Sequence, residues 1–114
     1  MAWLLRDGEV LASIEVAERF GQRLRGLLGR DGIDRALDGA LLLRPAKSVH
    51  TIGMRFPIDV AFCDGDLVVV DTCTPLRPNR VTRVRWKASC VIEAQAGAFE
   101  RWRLREGDHL ELQS

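Results

Sequence analysis

Apolar and polar positions alternate over the first part of the chain. Two apolar runs, residues 3–6 and residues 10–16, are separated by Asp7-Gly8. Asp-Gly between apolar runs predicts a β-hairpin, because both central residues of the tight turn need a positive φ. The chain is therefore expected to begin with two antiparallel strands.

The alternation then gives way to helical spacing. The next apolar residues recur at i, i+4, i+7 and i+8, at Phe20, Leu24, Leu27 and Leu28. This spacing forms one stripe of a short amphipathic helix, and Gly29 is well placed to end it. Residues 30–40, rich in Asp and Gly, are expected to form a loop.

Short strand-like runs follow from residue 40 to the end of the chain. They predict strands at residues 40–43, 58–63, 67–70, 82–87, 90–94 and 109–112, and an extended segment at residues 48–52. Residues 67–70 are apolar on both faces, which predicts a central strand. Pro75 and Pro78 predict a loop over residues 74–79, and residues 96–104 have a helical composition.

These elements predict a single α+β domain that covers residues 1–114. Closely spaced, mostly antiparallel strands with turn signals favour a small barrel-like sheet with one or two short helices. A chain of 114 residues can bury one core but is too short for two. Its three tryptophans, Trp3, Trp86 and Trp102, are expected to pack in the core or at its rim.

Composition indicates a soluble globular protein, with 46% apolar and 29% charged residues. No run approaches the roughly 18 apolar residues of a membrane span. The N-terminus lacks both the basic start and the apolar segment of a secretory signal. We therefore expect a cytoplasmic protein that has no membrane partner.

The cysteine and histidine content argues against a metal or disulfide framework. Cys63, Cys73 and Cys90 lie in apolar runs and form no Cys-x-x-Cys pair, so buried thiols are expected. Only two histidines are present, too few for common zinc spacings. No nucleotide-binding loop or Gly-x-Ser-x-Gly motif occurs, so no cofactor is expected.

Residues 49–62 carry ionisable side chains within an apolar run that is broken by Gly53 and Pro57. A carboxylate on a core strand, such as Asp59, must be satisfied internally or be there for chemistry. A histidine such as His50 titrates near neutral pH and can transfer a proton or bind an anion. We expect a pocket for a small polar or anionic ligand. Its predicted residues are His50, Thr51, Met54, Asp59, Arg25 and Arg30.

Two alternatives concern the same residues. Glu93, on another buried strand, raises the same question as Asp59. His50 with Asp59 or Glu93 is therefore a candidate acid–base pair for a small hydrolase or lyase. In the structural alternative, Asp59 caps the bend at residues 53–57 or pairs with an arginine to fix the fold.

A third hypothesis concerns residues 77–87, which contain five cations and no acid: Arg77, Arg80, Arg83, Arg85 and Lys87. With Trp86, such a segment could bind nucleic acid through phosphates and stacking. The alternation of cations is also typical of a solvated edge strand, and a net charge of +1 favours that interpretation over a nucleic-acid surface. An accessory protein could dock a partner through this strand.

Four segments of the chain also match a known family pattern in order. They are Gly26-Leu27-Leu28-Gly29-Arg30, residues 39–43, His50-Thr51-Ile52-Gly53-Met54 with Pro57-Ile58-Asp59, and Glu93, Gly97, Gly107 and Asp108. Through them, residues from about 15 to 112 resemble the bacterial and archaeal family named domain of unknown function 192 (DUF192). The resemblance implies the fold and the location of a site, but no activity.

The chain departs from this family at one segment. Many members carry Phe-Trp-Met-Lys-Asn-Thr where residues 50–55 of this chain read His-Thr-Ile-Gly-Met-Arg. A catalytic lysine or asparagine required at that segment would therefore be absent here.

Overall fold

The computed structural model describes residues 2–18 and 39–114. Its elements are β1 (Ala2–Arg6), β2 (Glu9–Ala17), β3 (Ala40–Leu43), β4 (Ile58–Cys63), β5 (Val69–Leu76), β6 (Cys90–Gln95), α1 (Ala98–Trp102) and β7 (Leu110–Gln113). The amphipathic helix predicted around residues 20–28 and the site candidates Arg25 and Arg30 lie outside the described residues. Within residues 2–18 and 39–114, no helix is long and apolar enough to cross a membrane.

The strands form a curled sheet in the order β5-β4-β6-β3-β2-β1-β7. Neighbouring strands are antiparallel except β2 and β3, which are parallel. The two strands at the ends of this order, β5 and β7, approach each other. There Val68 pairs with His109, and the Leu110 N–H donates to the Leu67 carbonyl at 2.9 Å. The sheet is a half-barrel with one short described helix, which agrees with the predicted barrel-like, mostly antiparallel fold.

The N-terminal hairpin is confirmed. Asp7 and Gly8 both have positive φ, 53° and 79°, and Arg6 pairs with Glu9 on the two sides of the turn. Glycine and aspartate tolerate this left-handed conformation better than other residues do. The Asp7-Gly8 turn thus sets the register of β1 against β2.

Both faces of the central strands are buried. On one face, Ala61 and Ile92 pack with Phe99 and Trp102 of α1 in a first hydrophobic cluster. On the other face, a second cluster contains Val60, Phe62 and Val91 together with Val49 and Met54. Successive strand residues point to opposite faces, so neighbours in sequence belong to different clusters.

The prediction that residues 67–70 form a central strand is wrong. Leu67 lies in a turn with φ 63°, and β5 begins at Val69 and stands at one end of the sheet order. Val69 belongs to the first cluster and Val70 packs against the second. Residues 67–70 are apolar because they pack against both hydrophobic clusters. An edge strand also tolerates Pro75, so β5 continues into the predicted loop as far as Leu76.

Residues 46–56 and 77–89 form an irregular antiparallel pair of segments, here called the ribbon. The Thr82 N–H donates to the Val49 carbonyl at 2.9 Å, and the Arg85 N–H donates to the Lys47 carbonyl at 2.7 Å. The predicted strand at residues 82–87 is therefore wrong, since the ribbon has only one isolated bridge, between His50 and Val81.

The inner side of the ribbon covers the second cluster with Val49, Met54 and Ala88. Side chains of residues 82–87 do not alternate as predicted. Thr82 is buried because its hydroxyl accepts the Val49 N–H, whereas Trp86 is 79% exposed. The expectation that Trp86 packs in the core or at its rim is wrong, whereas Trp102 is a core residue.

Candidate functional site

Asp59 lies on β4 and points toward α1. It pairs with Ala94 of β6 and shares its sheet face with Ala61, in the first cluster. Its Oδ2 accepts the backbone N–H groups of Gly97 at 3.0 Å and Phe99 at 3.1 Å. These groups belong to the start of α1, where no intrahelical acceptor is available. Asp59 therefore caps the helix and not the bend at residues 53–57.

Burial dominates the electrostatics of this carboxylate. Loss of water raises the pKa of Asp59, while the Phe99 and Gly97 N–H groups and the positive charge of Arg101 partly offset that rise. Only Oδ2 is used by these bonds; Oδ1 accepts no hydrogen bond from residues 2–18 or 39–114. One oxygen of a buried carboxylate is thus left for another partner.

A groove of about 520 Å³ lies over Asp59, between β5 and the segment that contains α1. Its walls combine hydroxyls, both signs of charge and apolar surface. The lining residues are Asp59, Thr72, Thr74, Pro75, Ala96, Gly97, Phe99, Glu100, Arg103, Leu104 and Arg105. A concave site with a few polar groups on an apolar background is typical of small-molecule binding.

The turn after α1 carries both arginines of the groove, and a half-buried network of hydrogen bonds fixes this turn. The Arg6 guanidinium donates to the carbonyls of Trp102 and Arg103 and to Asp108 Oδ2, the last at 2.9 Å. Asp108 Oδ2 also accepts the Arg105 N–H at 2.9 Å. Arg6 and Asp108 therefore set the backbone from which Arg103 and Arg105 extend.

The structure does not bring the other described candidates to this groove. Thr51 is fully buried, and its hydroxyl joins the two halves of the ribbon by donating to the Arg77 carbonyl and accepting the Arg80 N–H. Met54 is buried in the second cluster. His50 is exposed on the ribbon, where its Nδ1 accepts the Ile52 N–H at 3.4 Å.

Glu93 lies on the opposite sheet face from Asp59. It is paired in register with Val60 and Leu41, two residues of the second cluster. The side chain is 5% exposed, and burial raises its pKa to about 7. Within the described part of the chain, no hydrogen bond or ion pair joins His50 to either Asp59 or Glu93. The predicted acid–base pair is therefore not assembled in these residues.

The model of the DUF192 family, described as Uncharacterized ACR, matches residues 2–112. The chain belongs to the DUF192 family. No curated protein matches this DUF192 domain.

Two crystal structures resemble this DUF192 domain in fold. One is a protein of unknown function from Novosphingobium aromaticivorans DSM 12444, with a TM-score of 0.79 and 15% identity, covering 96% of this chain and 82% of that one. The other is a candidate transcription regulator from Sinorhizobium meliloti 1021, with a TM-score of 0.74 and 22% identity, covering 96% and 90%. At these identities the similarity establishes the fold alone.

None of the three cysteines of the DUF192 domain is among the residues that line the groove. Cys63 and Cys90 face each other on β4 and β6, and both are buried. Contact with Cys90 and burial raise the pKa of the Cys63 thiol. Cys73 is half-buried beside Arg85. Across residues 2–18 and 39–114, no three His, Cys, Asp or Glu side chains are grouped so as to hold a metal ion.

Sequence reasoning missed most of the groove. Thr72 and Thr74 lie on a strand whose end was predicted as a loop, and Arg103 and Arg105 follow a helix that was expected to continue to residue 104. A usable signal was present in residues 101–105, where arginines alternate with Trp102 and Leu104. Such a pattern places cations beside apolar contacts, as binding sites often require.

Proposed function

We propose that this DUF192 domain binds a small polar or anionic ligand in the groove over Asp59. The observation that carries the proposal is the Asp59 Oδ1, which accepts no hydrogen bond from the described residues and belongs to a carboxylate that is 2% exposed and lines the groove. A buried polar atom without a partner costs free energy, so a bound ligand that donates to it would recover that cost.

The residues that line the groove indicate which chemical groups the ligand carries. A hydrogen-bond donor on the ligand would meet Asp59, whereas an anionic group would meet the guanidinium of Arg103 or Arg105. The hydroxyls of Thr72 and Thr74 can both donate and accept. Phe99 and Leu104 offer apolar surface to the rest of the molecule. A compact compound with a donor at one end and an acid at the other fits this arrangement.

The acid–base enzyme is a weaker candidate on this geometry. A carboxyl group with a raised pKa in a groove is a known feature of catalytic sites. The capping bonds to Gly97 and Phe99 give Asp59 a structural role as well, and His50 lies on the ribbon. Ligand binding can use the groups that already line the groove, whereas the predicted acid–base chemistry would need His50 beside Asp59.

Native mass spectrometry of freshly purified protein, followed by thermal-shift screening of small polar and anionic metabolites, tests the proposal. We expect a retained compound or a screening hit whose affinity falls about tenfold or more in Asp59→Asn, since a charged hydrogen bond is lost. Asparagine can still accept the Gly97 and Phe99 N–H groups, so the helix cap is kept.

Arg103→Ala and Arg105→Ala should each weaken binding of an anionic hit by a similar factor. Arg83→Ala is the matched control, since Arg83 is exposed on the ribbon and outside the groove. Equal affinity for every variant, or no hit from the screen and no retained mass, would contradict the proposal.

A further inference from the structure

Charge is strongly segregated along this chain. The ribbon, residues 46–56 and 77–89, holds seven of the 17 lysines and arginines and none of the 16 acidic residues. The net charge of +1 is therefore the difference between +7 on the ribbon and −6 on the rest of the chain. A field of one sign on one surface attracts a partner of the opposite sign.

Most of these cations have no acidic partner among residues 2–18 and 39–114. Arg85 is an exception, since its Nε donates to Asp71 at 2.8 Å, and Lys47 donates to the carbonyls of Trp86 and Ala88. No ion pair with a described residue involves the remaining five, which are all exposed: Arg55, Arg77, Arg80, Arg83 and Lys87. Their charges are available to an external anion.

The same ribbon exposes large apolar side chains. Six large hydrophobic residues are exposed in the described chain, and four of them are on the ribbon: Ile52, Val81, Val84 and Trp86. Ile52 and Trp86 lie in turns. Apolar side chains grouped with cations mark an interaction surface more than a solvated edge.

We propose that the ribbon binds the surface of a membrane that contains anionic lipids. Tryptophan favours the boundary between headgroups and acyl chains, aliphatic side chains at turns can enter that boundary, and lysine and arginine attract lipid phosphates. A nucleic acid fits less well, because bases stack on aromatic rings and three of the four exposed apolar side chains are aliphatic.

This partner differs from the sequence-based expectation of no membrane partner. That expectation rested on the lack of a spanning segment, and association with a surface needs none. The proposal also uses different residues from the ligand groove, since the groove lining contains none of residues 46–56 or 77–89. Either proposal can therefore fail without the other.

Co-sedimentation with lipid vesicles tests the proposal. We expect the protein to bind phosphatidylcholine vesicles that contain about one third phosphatidylglycerol at least about tenfold more tightly than pure phosphatidylcholine vesicles, and binding to weaken as salt rises. The double variant Arg80→Glu/Arg83→Glu should lose about 30-fold or more. Tryptophan emission should shift to shorter wavelength with anionic vesicles, and Trp86→Phe should remove that shift.

Val81→Ser and Val10→Ser form a matched pair, since both valines are exposed, at 69% and 54%, and only Val81 is on the ribbon. Val81→Ser should weaken vesicle binding about threefold or more, whereas Val10→Ser should not change it. Three results would overturn the proposal: equal binding to neutral and anionic vesicles, equal loss in both valine variants, or tighter binding to a single-stranded oligonucleotide than to anionic vesicles at the same salt.

Discussion

Asp59 and Glu93 lie one register position apart on the paired strands β4 and β6, yet they face opposite sides of the sheet. Asp59 has two backbone N–H partners, which offset part of the cost of its burial. Glu93 is bordered by Leu41 and Val60, and burial alone sets its pKa. Hydrogen bonds therefore offset part of the cost of burying Asp59, whereas no described residue offsets the cost of burying Glu93.

Glu93 should make the protein less stable as the pH rises. Its ordinary pKa of 4.5 in the unfolded chain becomes about 7 in the folded protein. Above the lower value the unfolded chain loses its proton while the folded protein keeps it, so folding is progressively disfavoured. Glu93→Gln removes this effect. As the pH rises from roughly 4 to 8, the free energy of unfolding of Glu93→Gln should therefore increase by about 3 kcal/mol relative to that of the wild type.

Urea unfolding of both proteins across this pH range measures the gain. Taking the difference between the two curves removes the contribution of Asp59, which is common to both proteins. Glu111→Gln on β7, where the side chain is exposed, serves as the control and should follow the wild type. A constant difference between Glu93→Gln and the wild type at every pH would show that the buried carboxyl does not titrate as described.

The ribbon is the element that most separates the sequence prediction from the structure. Its segments alternate apolar and polar residues, which predicts an extended segment at residues 48–52 and a strand at residues 82–87. Side-chain hydroxyls instead take backbone bonds: Thr82 Oγ1 accepts the Val49 N–H, and Thr51 Oγ1 binds backbone groups of Arg77 and Arg80. Such local competition with ladder bonds cannot be read from hydrophobic periodicity.

The same element offers a test of what holds it in place. Thr51→Val keeps the volume of the buried side chain but leaves the Arg80 N–H and the Arg77 carbonyl without their partner. We expect a loss of about 1–3 kcal/mol in free energy of unfolding. Thr51→Ser keeps the hydroxyl and should lose less, because only a methyl group is removed. Equal losses for the two variants, measured by urea unfolding, would mean that packing and not the hydroxyl fixes the ribbon.

Regular elements were predicted better because their signals are local. The Asp7-Gly8 turn fixed the hairpin, and the apolar run at residues 90–94 predicted β6 nearly to its ends. The position of β5 depends on which strands it meets, and no short-range pattern contains that information. The same limit applies to Asp59. The predicted core strand at residues 58–63 implied that Asp59 is buried. Its hydrogen-bond partners Gly97 and Phe99, however, are about 40 residues away in sequence.

At the scale of the whole molecule, the predicted site divides into two regions. Asp59 belongs to the groove beside α1, while His50, Thr51 and Met54 belong to the ribbon and the cluster beneath it. The predicted bend at residues 53–57 implies that these residues lie together in one pocket. The strand that follows the bend instead alternates, so Ile58 packs on the cluster that holds Met54 while Asp59 points the other way.

The central claim is that the groove over Asp59 is a ligand site, and an amide ¹H–¹⁵N NMR titration with the compounds found by screening tests it most directly. Ligand bound at Oδ1 would alter the carboxylate whose other oxygen accepts the Gly97 and Phe99 N–H groups, so these two amide signals should shift most. The amides of Thr51 and Asn79, in the ribbon, should remain unchanged. Shifts confined to the ribbon, or no shift with any compound, would contradict the claim.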